Sequence, residues 1–346
     1  MSGLMAAMRL ERIVSLQECR EPLTPVRCPI PDPGPGEVRV AVTVCGVCHT
    51  ELDEIEGRTP PPRLPVIPGH QAVGRVDRLG NGVTDLAVGS RVGVAWIHSA
   101  CGECPWCREG RENLCPEFRA TGRDADGGYA EYLVVPAAFV HPIPDLLDDA
   151  AAAPLLCAGA IGYRSLRLAA LSGTAPLGLT GFGASAHLVL KLVRHLHPQL
   201  PVFVFARSAD EQQFARDLGA AWAGGTEAPP PAAMQAVIDT TPVWRPVVAA
   251  LRHLTPGGRL VINAIRKEAG DRELLASLDY PRDLWLEKEI CSVANVTRAD
   301  VREFLTLAAE VPIEPACTEY PLAAANQALR ELKTGKIRGA KVLRIG

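Results

Sequence analysis

The sequence predicts an α/β protein in which a β-rich domain is followed by a doubly wound parallel sheet, and three observations carry that expectation. The chain has 346 residues, 47% of them hydrophobic, enough for two domains that each bury a core. Short β-branched runs punctuated by glycine and proline fill the stretch before about residue 150. Beyond it, strand and helix patterns alternate at the spacing of a parallel sheet with crossover helices.

The β-rich part reads as EVRVAVTV, AVGRVDRL, SRVGVAW and AEYLVVP, separated by turn signals such as PDPGPGE and LGNGVTDLAVGS. Turns recurring at this interval suit a folded-over barrel rather than a helical bundle. DDAAAAPLLCAGAIGYRSLRLA then predicts a long helix. After it, APLGLTGF and PVFVFAR read as strands, with helices over ASAHLVLKLVRHL and SADEQQFARDLGA; AMQAVIDTT, WRPVVAALRHL and GRLVINAI continue the alternation. The tail holds two amphipathic helices, ADVREFLTLAAEV and LAAANQALRELKTG, and a final strand, AKVLRI. EAPPPAA at 227–233 is a surface loop rather than a linker.

Charge and hydropathy exclude several classes. The net charge is -3 with no basic block, which removes nucleic acid from the expected partners. The beginning of the sequence does not read as a signal peptide, and no run approaches the ~18 apolar residues of a membrane span, so a cytoplasmic protein is expected. Eleven cysteines are many for such a setting, and an odd number cannot all pair. Four of them cluster, which reads as metal ligation rather than a disulfide framework.

That cluster is Cys101, Cys104, Cys107 and Cys115, spaced C-x2-C-x2-C-x7-C. Four thiolates close a tetrahedral shell around zinc and leave no open position, so the site is structural. C-x2-C-x2-C also opens ferredoxin motifs, but nothing else here resembles one. A second motif, Gly181-Phe182-Gly183-Ala184-Ser185-Ala186, lies between an apolar strand and a helix and fits the dinucleotide fingerprint of a Rossmann sheet. Gly181 permits the turn, Gly183 lets backbone approach a pyrophosphate, and Ala186 stands at the helix–strand contact. The helix N-terminus offers free N–H groups to the phosphates. At the end of the next strand, Ala206, Arg207 and Ser208 stand where an NAD site usually carries an acid, and none precedes Asp210. An arginine beside a hydroxyl suits a 2′-phosphate, so the reading leans to NADP; Arg207 stacking on adenine would permit either dinucleotide.

The remaining ligand candidates are Cys45, Cys48, His49, His70 and Cys157. With C-G-V-C-H-T at 45–50, P-G-H at 68–70, the four-cysteine lobe, G-G-Y-A-E-Y at 127–132, L-L-C-A-G at 155–159 and the fingerprint, the chain resembles the zinc-dependent medium-chain alcohol dehydrogenases along its whole length. The resemblance implies a catalytic GroES-like domain over 1–155 and 297–346, with its structural zinc lobe near 98–118, and a Rossmann domain over 156–296. It implies a catalytic zinc on Cys48, His70 and Cys157, hence two zincs per chain. Three protein ligands leave a fourth position for water or a substrate oxygen. Cys45 is the rival ligand, but the strand should point it into the core. Thr50 matches the hydroxyl that takes the alcohol's proton, and His49 the residue that meets the pyrophosphate. Glu51 matches the carboxylate that fixes the tautomer of His70, although a surface acid is the plain alternative. Arg338 matches a basic residue near the phosphates. Trp96 and Ile55 are expected to line an apolar substrate pocket, with core packing the alternative for Trp96.

Two positions depart from the family pattern. Gln71 stands where many members have an acid behind the metal, and the neutral amide should leave zinc a stronger Lewis acid. Asp53 stands where yeast-type members carry a histidine that passes the proton to solvent, so the proton would leave through Asp53 or water. The expected activity is reversible hydride transfer between a primary or secondary alcohol and NAD(P). GRLVINAI and CSVANV lie where members of that family pair sheets across a dimer, so the resemblance implies a homodimer or homotetramer. A quinone or enoyl reductase of the same superfamily would usually lack both ligand sets, and a non-enzymatic zinc or redox-sensor protein would leave the fingerprint without a purpose.

Overall fold

The computed structural model describes residues 3–311, 313, 315–335 and 339–346. The chain divides into two compact units, Met1–Cys157 with Thr297–Gly346, and Ala158–Val296. In chain order the first unit contributes β1 (Leu4–Leu10), β2 (Leu23–Pro29), β3 (Glu37–Val47), α1 (His49–Ile55), β4 (Ala72–Leu79), β5 (Arg91–Val94), β6 (Ile97–Ser99), the single turn α2 (Pro105–Arg108), β7 (Arg119–Ala120), β8 (Tyr132–Pro136), β9 (Val140–Pro142) and α3 (Asp149–Pro154). The second holds α4 (Ala160–Ala169), β10 (Leu177–Thr180), α5 (Ala184–Leu196), β11 (Val202–Phe205), α6 (Ala209–Asp217), β12 (Trp222–Gly224), β13 (Met234–Asp239), α7 (Arg245–Leu251), β14 (Leu254–Ile262) and β15 (Glu289–Ser292). The chain then returns to the first unit with α8 (Arg298–Glu310), β16 (Cys317–Pro321), α9 (Ala325–Lys333) and β17 (Ala340–Arg344).

The first unit is organised by β3. Val38, Val40, Val42 and Val44 alternate with Glu37, Arg39, Ala41 and Thr43, so one face is buried and the other is not. Each of those valines contributes about 1.5–3 kcal/mol of burial. Along one edge β3 pairs with β4, and along the other it pairs first with β8 and then with β17. The sheet continues β16-β17-β3-β4-β5-β9, and its apolar face meets Leu52 and Ile55 of α1 and Leu329 of α9 in one core.

The second unit is a parallel sheet of order β12-β11-β10-β13-β14-β15, so the strand sequence reverses beside β10. That order is the doubly wound dinucleotide-binding arrangement, whose ligands sit outside the strand carboxyl ends at the reversal. Helix α5 buries Leu188, Val189, Leu190, Leu192 and Val193, an apolar stripe that fixes its rotation. β14 has both neighbours paired, so the expectation that GRLVINAI pairs across a subunit boundary fails; β15 is the sheet's edge. No helix among the described residues is long and apolar enough to cross a membrane.

Candidate active site

Strand β3 ends at Val47, and the chain turns at Cys48 into α1, placing Cys48 in extended backbone at the helix N-cap. Glu51 accepts the Cys48 N–H at 2.7 Å and so closes the first turn. Its other carboxylate oxygen lies 2.5 Å from His70 Nδ1, and both side chains are buried. One acid therefore fixes two of the predicted ligands: it anchors the backbone of Cys48 and orients the ring of His70, whose Nε2 faces the opposite way.

His70 sits on the Ile67–His70 segment, which is pinned by backbone bonds from Gly127 to Ile67, Gly128 to Gly69 and Tyr129 to Pro68. The P-G-H and G-G-Y motifs are thus two halves of one clamp. Gly69 has φ +101°, and a side chain there would fall 2.4 Å from the Tyr129 ring, so only glycine fits.

Cys157 arrives from a π-helical turn, Leu155–Gly159, between α3 and α4; such turns are rare and favour functional positions. Its Sγ lies 3.3 Å from His70 Nε2. The donor atoms of Cys48, His70 and Cys157 all lie within 4.8 Å of one another. Two thiols and an imidazole are a donor set zinc takes in open, catalytic sites, and the set fits that ion. The Thr50 hydroxyl lies 3.6 Å from Cys48 Sγ. The Cys157 and His70 hydrogen bonds hold the Cys48 thiol well below the usual range, while Cys48 and burial push Cys157 up. Burial opposes a charge on His70, but the Glu51 carboxylate outweighs it and holds the ring well above its ordinary value.

Cys45 lies apart from this set. It is buried in the core beside Tyr129, and burial raises its thiol pKa. Gln71 is also buried, its side chain lying over Gly46. Asp53 is committed to Arg58, whose Nε lies 2.5 Å away, so the group proposed as a proton outlet is an ion-pair partner. Ile55 has no accessible surface and packs in the core. A side chain with no exposed surface does not line a pocket, and the expectation for Ile55 is corrected. Trp96 is half-buried against Phe118, with ring centroids 4.9 Å apart. His49 is exposed. Arg338 lies outside the described residues.

Cys101, Cys104, Cys107 and Cys115 converge to within 4.8 Å of one another. The Cys104 N–H points at Cys101 Sγ over 3.3 Å, and the Cys101 N–H at Cys115 Sγ over 3.5 Å. Backbone N–H groups of Glu103 and Cys104 bring the Cys101 thiol down to about 7, and burial is the main cause that pushes Cys107 up to about 12. A closed ring of four thiols fits a structural zinc. The lobe is tied down by Glu112, which accepts the backbone N–H of Arg298 at 2.8 Å and its Nε at 3.0 Å.

In the second unit β10 runs into Gly181, whose N–H donates to Phe205 O at 2.9 Å. Gly181 has φ +76°. A side chain at Gly183 would meet no atom of the described residues within 4 Å, so the fold itself does not demand that glycine; the open space suits a ligand brought against the backbone. Ala184, Ser185 and Ala186 form the first turn of α5, and Asn263 Nδ2 donates to Ser185 Oγ at 3.2 Å. Arg207 is exposed, without a partner among the described residues. Ser208 caps α6, its hydroxyl accepting the Glu211 N–H at 3.1 Å and keeping its own proton to donate.

Sequence reasoning passed over two buried pairs of groups. Glu54 and Tyr129 carry polar atoms with no hydrogen-bond partner among the described residues, and burial pushes both pKa values well up; in HTELDEIEG nothing distinguishes Glu54 from a surface acid. Asp239 and Lys267, in the second unit, form a buried ion pair.

Comparison with known proteins gives the family. Residues 34–145 match the alcohol dehydrogenase GroES-like domain. A probable alcohol dehydrogenase of Mycobacterium tuberculosis is 45% identical over 329 residues, covering 94% of this chain and 93% of that protein. The chain belongs to the medium-chain alcohol dehydrogenases. An alcohol dehydrogenase of Geobacillus stearothermophilus is 35% identical over 324 residues, 90% of this chain and 92% of that one. The structure of a cobalt- and zinc-bound thermostable alcohol dehydrogenase from Pyrobaculum aerophilum superimposes with a TM-score of 0.86 at 26% identity, covering 99% of each chain. As a family member this chain is an NAD(P)-dependent oxidoreductase acting on alcohols and their carbonyl counterparts, which are small-molecule substrates.

Proposed function

We infer that the chain is a zinc-dependent dehydrogenase of primary or secondary alcohols that prefers NADP and carries two zincs, one on Cys48, His70 and Cys157 and one on Cys101, Cys104, Cys107 and Cys115. The observation that carries the reading is the convergence of Cys48, His70 and Cys157 to within 4.8 Å, with Glu51 behind His70 and Thr50 beside Cys48. When bound, zinc supplies the Lewis acidity that lowers an alcohol's pKa, and the nicotinamide supplies the hydride acceptor. Thr50 relays the alcohol proton, its hydroxyl oxygen accepting that proton while its own passes on to water, a role its position next to Cys48 supports. Glu51 keeps His70 Nε2 as the lone-pair nitrogen by holding the proton on Nδ1. Gly181, Gly183 and the first turn of α5 receive the pyrophosphate.

The NADP preference rests on Arg207, an exposed guanidinium at the end of β11, and on the free proton of Ser208. The preference for unbranched, apolar alcohols over polyols rests on Trp96 with Phe118, now that Ile55 is a core residue. Assembly as a homodimer or homotetramer is supported by the edge strand β15, which carries exposed Ile290, and by exposed Tyr280 and Trp285 before it in the chain. Eleven free thiols suit a reducing cytoplasm. A screen of alcohols and aldehydes with NAD and NADP in parallel, followed by complete removal of zinc, tests the reading. Activity that survives zinc removal overturns the mechanism, and turnover of polyols alone overturns the substrate class.

A further inference from the structure

At the carboxyl ends of β10 and β13, where the strand order reverses, a buried ion pair shapes the backbone that the fingerprint leans on. Asp239, the last residue of β13, has no accessible surface and lies opposite Thr180, the last residue of β10. One oxygen of its carboxylate accepts the Thr180 hydroxyl at 2.6 Å and the Thr241 hydroxyl at 2.8 Å. Its other oxygen accepts the ammonium of Lys267, which comes from the loop after β14 and is nearly buried. The two remaining ammonium protons go to the carbonyls of Thr241 at 2.8 Å and Val243 at 3.0 Å. Every donor of Lys267 and both oxygens of Asp239 are therefore used, which is the condition under which a buried pair is tolerated.

The segment hung on Lys267 is the one packed against the fingerprint turn. Thr240 donates its N–H and its hydroxyl to Thr180 O, at 2.9 Å and 3.0 Å. A side chain at Gly181 would fall 2.9 Å from the Thr240 hydroxyl and 2.9 Å from the Thr241 methyl. The second loop is strapped to the first as well, with the Glu268 N–H on Pro242 O at 2.6 Å and the Trp244 ring centroid 5.8 Å from the ammonium. We propose that Lys267 is a positioning residue for the dinucleotide: by holding Thr240–Val243 in place, it sets the Gly181 turn that receives the pyrophosphate. The assignment rests on the fingerprint being the dinucleotide site.

The experiment uses the zinc-loaded enzyme with Lys267→Met, which keeps the stem and removes the ammonium. The KM and the dissociation constant for the dinucleotide are expected to rise about tenfold or more, as loss of charge-assisted bonds to the loop implies. At saturating dinucleotide, kcat and the alcohol KM should stay within about twofold, the pattern of lost binding rather than lost chemistry. A double variant, Lys267→Met with Asp239→Asn, removes the unpaired buried charge that endangers the single variant's fold. It still leaves the Thr241 and Val243 carbonyls without their donor, so it should show the same rise, and it decides the matter if the single variant does not fold. Dinucleotide constants within about twofold of the parent, with only a lower melting temperature, would reduce the pair to a packing role and overturn the proposal. Gly183→Val, made in parallel, separates the two readings. If it leaves dinucleotide binding unchanged, the fingerprint assignment fails; if it weakens binding and the Lys267 variants do not, only the Lys267 assignment fails.

Discussion

Replacing Glu51 by glutamine removes one negative charge while leaving the side chain's shape nearly intact. In the parent, one carboxylate oxygen accepts the Cys48 N–H at 2.7 Å and the other lies 2.5 Å from His70 Nδ1. An amide has a single acceptor oxygen, so one of these two donors is left facing an NH2 group. A buried donor without a partner costs about 1–3 kcal/mol. Loss of the group that orients a metal-binding histidine weakens metal binding about 10–100-fold. The two figures agree, since a tenfold change corresponds to about 1.4 kcal/mol. The assay is competition for zinc with a chromogenic chelator, read alongside the thermal unfolding midpoint. Glu51→Gln should release one zinc about 10–100-fold more readily and leave the four-cysteine zinc as tightly held as before. If both zincs are held as in the parent, Glu51 is not what fixes His70 and the reasoning is wrong.

Arg207→Ala should raise the KM for NADP about tenfold or more while changing that for NAD little, as loss of a phosphate-binding guanidinium requires; equal changes for both dinucleotides would point to adenine stacking instead. Because Asp53 is held by Arg58, Asp53→Asn should leave any kinetic pKa near ~6.5 in place, and the disappearance of such a pKa from the pH–rate profile would restore Asp53 as the proton outlet. Burial, with Arg302 and Arg298 nearby, holds His141 down to about 3. In the unfolded chain its pKa is about 6.5, so as pH falls the unfolded state takes the proton first and stability is lost between those values. At pH 5 that loss is about 2 kcal/mol relative to neutral pH. Urea titrations at the two pH values should show His141→Gln losing correspondingly less, and an identical acid slope would contradict the assignment.

How much of this was legible in the sequence depends on how local the causes are. The strand–helix alternation and the fingerprint are set by short-range periodicity and by glycine at Gly181, so they read directly. The four-cysteine lobe is equally local, its ligands falling within one 15-residue stretch, Cys101 to Cys115. Ile55 is different. Its register on α1 decides whether it faces a pocket or the core, and that depends on packing against β3 and α9, which no window around residue 55 contains. Asp239 and Lys267 are 28 positions apart and meet because β13 and β14 run parallel and end side by side; neither has a neighbour in sequence that marks it.

The central claim is that Cys48, His70 and Cys157 hold the zinc on which alcohol oxidation depends, and Cys157→Ser is its most direct test. Elemental analysis should find two zincs per chain in the parent and one in the purified variant, with the variant's alcohol oxidation lost and its thermal unfolding midpoint close to the parent's. A variant that keeps both zincs, or that keeps oxidising alcohols with one, would contradict the account.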